Sequence, residues 1–204
     1  MMNSNTGPVY VVDDENAVRE SLVFMLETYG LTIQDFSSGQ AFLEQVDIHQ
    51  PGCIVLDSRM PEMRGQELQT LLNEARSPLS IIFLTGHGDV PMAVDALKDG
   101  AVDFFQKPVD GDKLAKAIDK ALTHSFKREG HVNVEKKYNS LTEREKQVLK
   151  EVLKGQTNQQ MAKTLCVSLR TIEVHRANMM KKFEASNVAD LVLRLSTLIQ
   201  QSKL

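Results

Sequence analysis

Tryptophan is absent from this chain of 204 residues, cysteine occurs twice, proline six times, and aromatic residues make up 5%. Two cysteines, Cys53 in a strand-like run and Cys166 in a turn between helical patterns, are too few and too scattered for a disulfide framework or a zinc site. Both read as free thiols, Cys53 in the core. No apolar run approaches the ~20 residues of a membrane span. The opening MMNSNTGP lacks the basic-then-apolar layout of a signal peptide. A cytoplasmic location without a membrane partner is therefore expected. Internal repeats and low-complexity tracts are also missing, and an apolar content of 42% excludes collagen-like and disordered classes.

Basic residues are scarce in the first part of the chain. Residues 1–123 hold 9 Lys+Arg against 19 Asp+Glu, whereas residues 124–204 hold 15 against 8. An acidic module followed by a basic one suggests a regulatory or catalytic domain joined to a nucleic-acid-binding one. The reading is a first domain over 1–123, a polar linker or helix extension over 124–139, and a second domain over 140–204.

The first module alternates strand-length runs at 9–12, 31–36, 53–56, 80–84 and 102–106 with helical patterns between them. Val18, Leu22, Met25, Leu26 and Tyr29 recur at helical spacing and stop at Gly30; further helices fit 38–47, 65–74, 89–99 and 110–122, the last capped by Asp110. Several strands are apolar throughout, as strands covered on both faces are. Five such units predict a doubly wound α/β parallel sheet in the flavodoxin-like order. Right-handed crossovers then bring Asp13, Asp14, Asp57, Thr85 and Lys107 to one sheet edge, where ligands bind in such folds.

Three carboxylates this close repel one another unless protons or a metal neutralise them, and an oxygen-only set at a partly open edge suits Mg2+. A proton-sharing dyad is the other answer, although adjacent residues at a strand end point different ways. Asp57 can accept a phosphoryl group as an acyl phosphate. Lys107 and Thr85 would then serve phosphoryl oxygens, with Gly86 and Gly88 leaving room beside Thr85.

The motifs D-D at 13–14, D-x-x-M-P at 57–61, T-G at 85–86 and F-x-x-K-P at 104–108 resemble the CheY-like receiver domain of two-component response regulators. The segment TGHGDVPMAVDALKDGAVDFFQKP resembles the FixJ subfamily in particular. The resemblance implies phosphorylation of Asp57 by a partner sensor histidine kinase, and Mg2+ held by Asp13, Asp14, Asp57 and the Arg59 carbonyl. It further implies a switch through Thr85 and Phe104, and a cis Lys107–Pro108 bond. Arg59 and His87, two residues beyond Asp57 and Thr85, lie where side chains govern water access to the acyl phosphate. Val90, Met92, Ala93, Val94, Ala96 and Leu97 make the fourth helix apolar almost all round, more than one buried face requires, and so mark a dimerisation face.

From Leu141 the pattern is wholly helical. Thr142 and Glu145 form a T-x-x-E capping box, Gly155 ends that helix, a short helix fits 158–165, Ser168 caps a longer one to 183, and a last one fits 187–199. A 100° step per residue puts Ile172, Met179 and Phe183 on one face of the longer helix, with Leu169 and Arg176 at its border. Arg170, Val174, Ala177, Asn178 and Lys181 stand opposite, flanked by Thr171 and Glu173. LTEREKQVL, G-x-x-N at 155–158 and SLRTIEVHRANMMKKF resemble the LuxR/FixJ-type helix-turn-helix, whose second helix lies in the major groove. That resemblance implies an all-α four-helix DNA-binding domain. Val174 and Ala177 suit thymine methyls, Asn178 an adenine edge, and Arg170 and Lys181 phosphate or guanine; Ser168 and His175 complete the set. Val188, Leu191, Val192, Leu195 and Leu198 leave surplus apolar surface on the final helix.

The preferred reading is a DNA-binding transcription regulator rather than an enzyme. It takes a phosphoryl group on Asp57, dimerises, binds promoter DNA and engages RNA polymerase. A phosphorylation-gated scaffold that never touches nucleic acid and a Mg2+-dependent phosphohydrolase using Asp57, with Glu62 and His87 as acid/base candidates, are the rivals.

Overall fold

The computed structural model describes residues 7–86 and 90–200, with the backbone alone for 197–200. His87, Gly88 and the side chain of Leu198 fall outside the described residues. The chain forms two compact units, Met1–Glu129 and Gly130–Leu204.

The first unit is built on strands β1 (Val9–Val12), β2 (Ile33–Phe36), β3 (Cys53–Asp57), β4 (Ser80–Thr85) and β5 (Asp103–Gln106). Their order in the sheet is β2-β1-β3-β4-β5, with every neighbour parallel. The three central strands are buried at every position, and only the edge strands β2 and β5 carry exposed polar residues. Helices α1 (Asn16–Glu27), α2 (Gly39–Gln45), α3 (Gly65–Glu74), α4 (Val90–Lys98) and α5 (Gly111–Asn139) complete the crossovers.

The period of two along each strand divides the core. Tyr10, Val12, Ile54, Leu56 and Phe83 pack on one face with Phe42 of α2 and Leu68 of α3. Val9, Val11, Cys53, Val55, Ile82 and Leu84 pack on the other with Leu22 of α1 and Ile118 of α5. Cys53 lies wholly inside, where burial pushes its thiol pKa up.

Strand bounds and one helix position depart from the sequence reading. β2 begins two residues late, and β3 and β4 each extend one residue, so that Asp57 and Thr85 lie on the ladder itself, Asp57 opposite Leu84 and Thr85 opposite Gln106. Ala96, expected on an outward face of α4, is 1% exposed and belongs to the core, because the small side chain lets α4 approach the sheet. Val90, Val94 and Leu97 are the outward apolar residues of that helix, and Met92 is half-buried against the core. Of the two readings of residues 124–139, linker or helix extension, the structure shows the second: they form the later turns of α5. Ser125 in that stretch accepts from the Gly52 amide at 2.8 Å and donates to the Pro78 carbonyl at 2.8 Å, two buried bonds an open linker would lack.

The second unit contains α6 (Glu143–Leu153), α7 (Asn158–Thr164), α8 (Leu169–Phe183) and α9 (Val188–Gln200). The Thr142–Glu145 capping box starts α6, and a second box, Thr157–Gln160, starts α7. Gly155, at φ +76°, follows α6 in the left-handed conformation that lets the chain turn. Val148, Leu149, Met161, Ile172, Met179, Phe183, Leu191 and Leu195 form one core. Glu145, 3% exposed, takes the Lys182 ammonium at 2.7 Å as well as its own cap bond, which holds its carboxyl below the usual range despite burial. Among the described residues, no helix is long and apolar enough to cross a membrane.

Candidate functional site

Two strands of the sheet end in reactive groups, and the residues directly after two others complete the set. Asp13 follows β1, Asp57 ends β3, Thr85 ends β4 and Lys107 follows β5. The ladder sets their spacing: the Ser58 amide bonds the Leu84 carbonyl at 3.0 Å, and the Lys107 amide bonds the Thr85 carbonyl at 2.8 Å. Asp13, Asp57 and Thr85 are buried, while Asp14 is exposed.

Lys107 Nζ lies 2.6 Å from Asp13 Oδ2 and 3.2 Å from Asp57 Oδ1. One cation thus spans two buried carboxylates. Burial holds the Asp57 carboxyl above its ordinary range, with Lys107 opposing that rise and the Asp13 charge adding to it. Burial also works against the Lys107 ammonium, but its hydrogen bond to Asp13 and the two carboxylate charges prevail and raise its pKa. The edge therefore carries surplus negative charge. One oxygen from each of Asp13, Asp14 and Asp57 lies within 4.8 Å of the others. An all-oxygen donor set with net negative charge, half open to solvent, fits a hard divalent cation such as Mg2+. The Lys107–Pro108 bond is cis.

Between Asp57 and α3 the chain turns tightly. The Gly65 amide bonds the Ser58 carbonyl at 3.3 Å, and a Cβ on Gly65 would lie 2.5 Å from the Asp57 carbonyl and 2.8 Å from the Phe83 ring. Backbone cannot give way as a flexible side chain does. Gly65→Ala is expected to destabilise the first unit by about 2 kcal/mol and slow reaction at Asp57. An unchanged urea midpoint would refute the crowding. Gly86, expected to leave room beside Thr85, would bring an added Cβ within 4 Å of no atom of the described residues outside its own chain neighbours. Phe104 is half-buried, packed against the same core face as Phe83, its partner in the ladder.

In the second unit, α8 buries Ile172, Met179 and Phe183. Arg170, Glu173, Val174, Ala177, Asn178 and Lys181 are exposed. Ser168 and Thr171 are committed to the helix start: Ser168 Oγ accepts from the Thr171 amide at 3.1 Å and lies 2.7 Å from Thr171 Oγ1. His175 is half-buried. Arg176, also half-buried, donates to Asn158 Oδ1 at 2.6 Å and so ties α8 to the start of α7. The helical wheel placed Arg176 at the core border but did not reveal this partner, which lies 18 residues upstream. Lys182 and its bond to Glu145 escaped sequence reasoning for the same reason.

Residues 9–119 match the family described as the response regulator receiver domain, and residues 139–195 match the luxR family of bacterial regulatory proteins. The response regulator protein TodT of Pseudomonas putida is 43% identical over 195 residues, covering 94% of this chain and 86% of TodT. The transcriptional regulatory protein FixJ of Rhizobium meliloti is 43% identical over 188 residues, covering 90% of this chain and 92% of FixJ. Among solved structures, the response regulator StyR superposes with a TM-score of 0.69 at 39% identity, covering 93% of this chain and 98% of that one.

Proposed function

The chain belongs to the response regulators and is a phosphorylation-activated transcription regulator, and we propose that Asp57 is its phosphoryl acceptor and that α8 reads promoter DNA. The observation that carries the first part is the Lys107 ammonium between Asp13 and Asp57, at 2.6 and 3.2 Å. In this reading residues 1–123 are the receiver, 124–139 the joining segment and 140–204 the DNA-binding domain. Its place is the cytoplasm, with the kinase and the promoter.

An Asp57 carboxylate oxygen attacks the phosphorus of a kinase phosphohistidine. The P–O bond forms, the P–N bond breaks, and the imidazole leaves with a proton. Asp13, Asp14, Asp57 and the Arg59 carbonyl would hold Mg2+, which would supply positive charge to offset carboxylates and phosphoryl oxygens together. Lys107 moves from bridging two carboxylates to donating to a phosphoryl oxygen, and the Thr85 hydroxyl donates to another. An apolar concavity of about 490 Å3 lined by Val18, Leu22, Met25, Pro108 and Val109 adjoins Lys107 and offers the phosphodonor a surface.

Output passes from Thr85 to Phe104 and on to α4, whose exposed Val90, Val94 and Leu97 become a dimer contact. Dimerisation places two copies of α8 on two half-sites and presents the assembly to RNA polymerase. The exposed basic residues Arg170 and Lys181 contact phosphate or guanine, and Val174, Ala177 and Asn178 contact base edges.

A gel shift with genomic fragments, run with and without acetyl phosphate and Mg2+, tests the whole reading. Phosphorylation should tighten binding. Equal affinity in both states would remove the switch, and no shifted fragment would remove the DNA. Lys181→Ala is expected to weaken binding to specific and random DNA alike and to flatten the salt slope by about one unit. Loss restricted to one sequence would instead make Lys181 a base reader.

A further inference from the structure

Arg19 stands on the first turn and a half of α1, and its side chain is 11% exposed. Four hydrogen bonds hold its guanidinium. Nη1 donates to the Asp13 carbonyl at 2.8 Å and to the Asp14 carbonyl at 3.2 Å; Nε donates to Asp35 Oδ2 at 3.0 Å, and Nη2 to Asn16 Oδ1 at 2.7 Å. The two carbonyls follow the last residue of β1. Asp35 belongs to β2, so the same side chain ties α1, the end of β1 and the neighbouring strand.

The two acidic residues differ in what else holds them. The Asp13 carboxylate is fixed by the Glu15 amide at 3.0 Å and by Lys107 at 2.6 Å. Among the described residues, no side-chain hydrogen bond or ion pair fixes the Asp14 carboxylate, which is exposed. The backbone decides where the Asp14 side chain leaves the main chain, and its carbonyl is held by Arg19.

We propose that Arg19 is a positioning residue for the acidic pocket, fixing the Asp13–Asp14 backbone and through it the aim of the Asp14 carboxylate at a divalent cation. The proposal rests on the reading of Asp13, Asp14 and Asp57 as the Mg2+ site. A planar guanidinium reaches four acceptors at once in fixed directions; a lysine ammonium in the same place carries the charge without the fork. Charge and geometry make opposite forecasts. A nearby positive charge repels Mg2+, so as a mere electrostatic neighbour Arg19 would weaken metal binding, and its neutralisation would strengthen it. As a positioning group, its loss weakens metal binding.

The test is a calorimetric Mg2+ titration of the full chain, unphosphorylated, with urea unfolding of each variant to confirm the fold. Arg19→Gln and Arg19→Lys are each expected to weaken Mg2+ binding roughly tenfold, as loss of an outer-shell support does. Asp35→Asn, which removes the charge of one partner but leaves both carbonyl bonds, is expected to change it by less than about twofold. Tighter or unchanged binding in Arg19→Gln overturns the proposal, and so does wild-type affinity in Arg19→Lys, which would mean that the guanidinium fork is not needed to hold the two carbonyls. Lys, which keeps the charge, decides the matter if Gln does not fold. Asp14→Asn separates the two layers: unchanged affinity there removes the metal-site reading itself and the proposal with it, whereas weakened binding there beside intact binding in the Arg19 variants removes the positioning alone.

Discussion

Asp57→Asn is expected to end phosphoryl acceptance altogether while making the receiver more stable at neutral pH. The amide oxygen is a poor nucleophile and cannot carry an acyl phosphate, so intact-mass measurement after acetyl phosphate treatment should show no added phosphoryl group. The stability change follows from the raised pKa of the buried Asp57 carboxyl. A carboxyl whose folded pKa exceeds its unfolded one stabilises the fold below the unfolded value, and that contribution disappears as pH rises through the folded value. At pH 7 an ionised Asp57 therefore works against folding, and Asn removes the burden. The urea midpoint should rise by about 1 kcal/mol equivalent, a common size for relieving one functional constraint. The advantage should shrink as pH falls towards about 4, where the unfolded chain also protonates its aspartates. Millimolar Mg2+ should stabilise the wild type and have less effect on the variant. A variant that still gains mass, or unfolds more easily at pH 7, would contradict the site as drawn.

Phe183→Ala should cost the second unit about 4 kcal/mol. Phe183 is 1% exposed and packs in the core with Ile172 and Met179. A unit this small holds only a few kcal/mol in reserve, so the loss should unfold much of it near body temperature and abolish specific DNA binding. The receiver core contains no residue of that cluster, and Asp57 should still accept a phosphoryl group. Two unfolding transitions would separate, one moved and one unmoved. A single transition that moves as a whole would instead mean that the two units unfold cooperatively.

What could be read from residue order alone followed the length scale of each interaction. Central strands are legible as apolar runs, and Asp57 and Thr85 could be placed because each follows such a run directly, as Lys107 could after the mixed edge run VDFFQ. Capping boxes join residues three positions apart, and the one at Thr142 and Glu145 is legible in the sequence. Arg19 was not, because three of its four acceptors are two main-chain carbonyls and an aspartate 16 residues away, none of which forms a pattern. A hint existed: Arg19 is the only Lys or Arg in residues 1–58, in a segment crowded with acids. Glu145 and Lys182 are 37 residues apart, and the helical wheel says nothing about what stands across a bundle. On α4, a helix with apolar residues nearly all round gives no phase, and only packing showed that Ala96 turns inward.

The strand order has a consequence for synthesis. β5 is the last strand made and forms the outer edge beside β4, whose sequence SIIFLT is buried along its whole length in the finished sheet. Until β5 emerges, β4 offers a bare apolar border to other chains, the arrangement most prone to aggregation. Lys107 arrives with that same strand, 94 residues after the Asp13 it neutralises. The nascent receiver thus gains its protective border and the cation of its acidic edge together, and a ribosome stalled between β4 and β5 would leave a chain both sticky and unable to receive a signal.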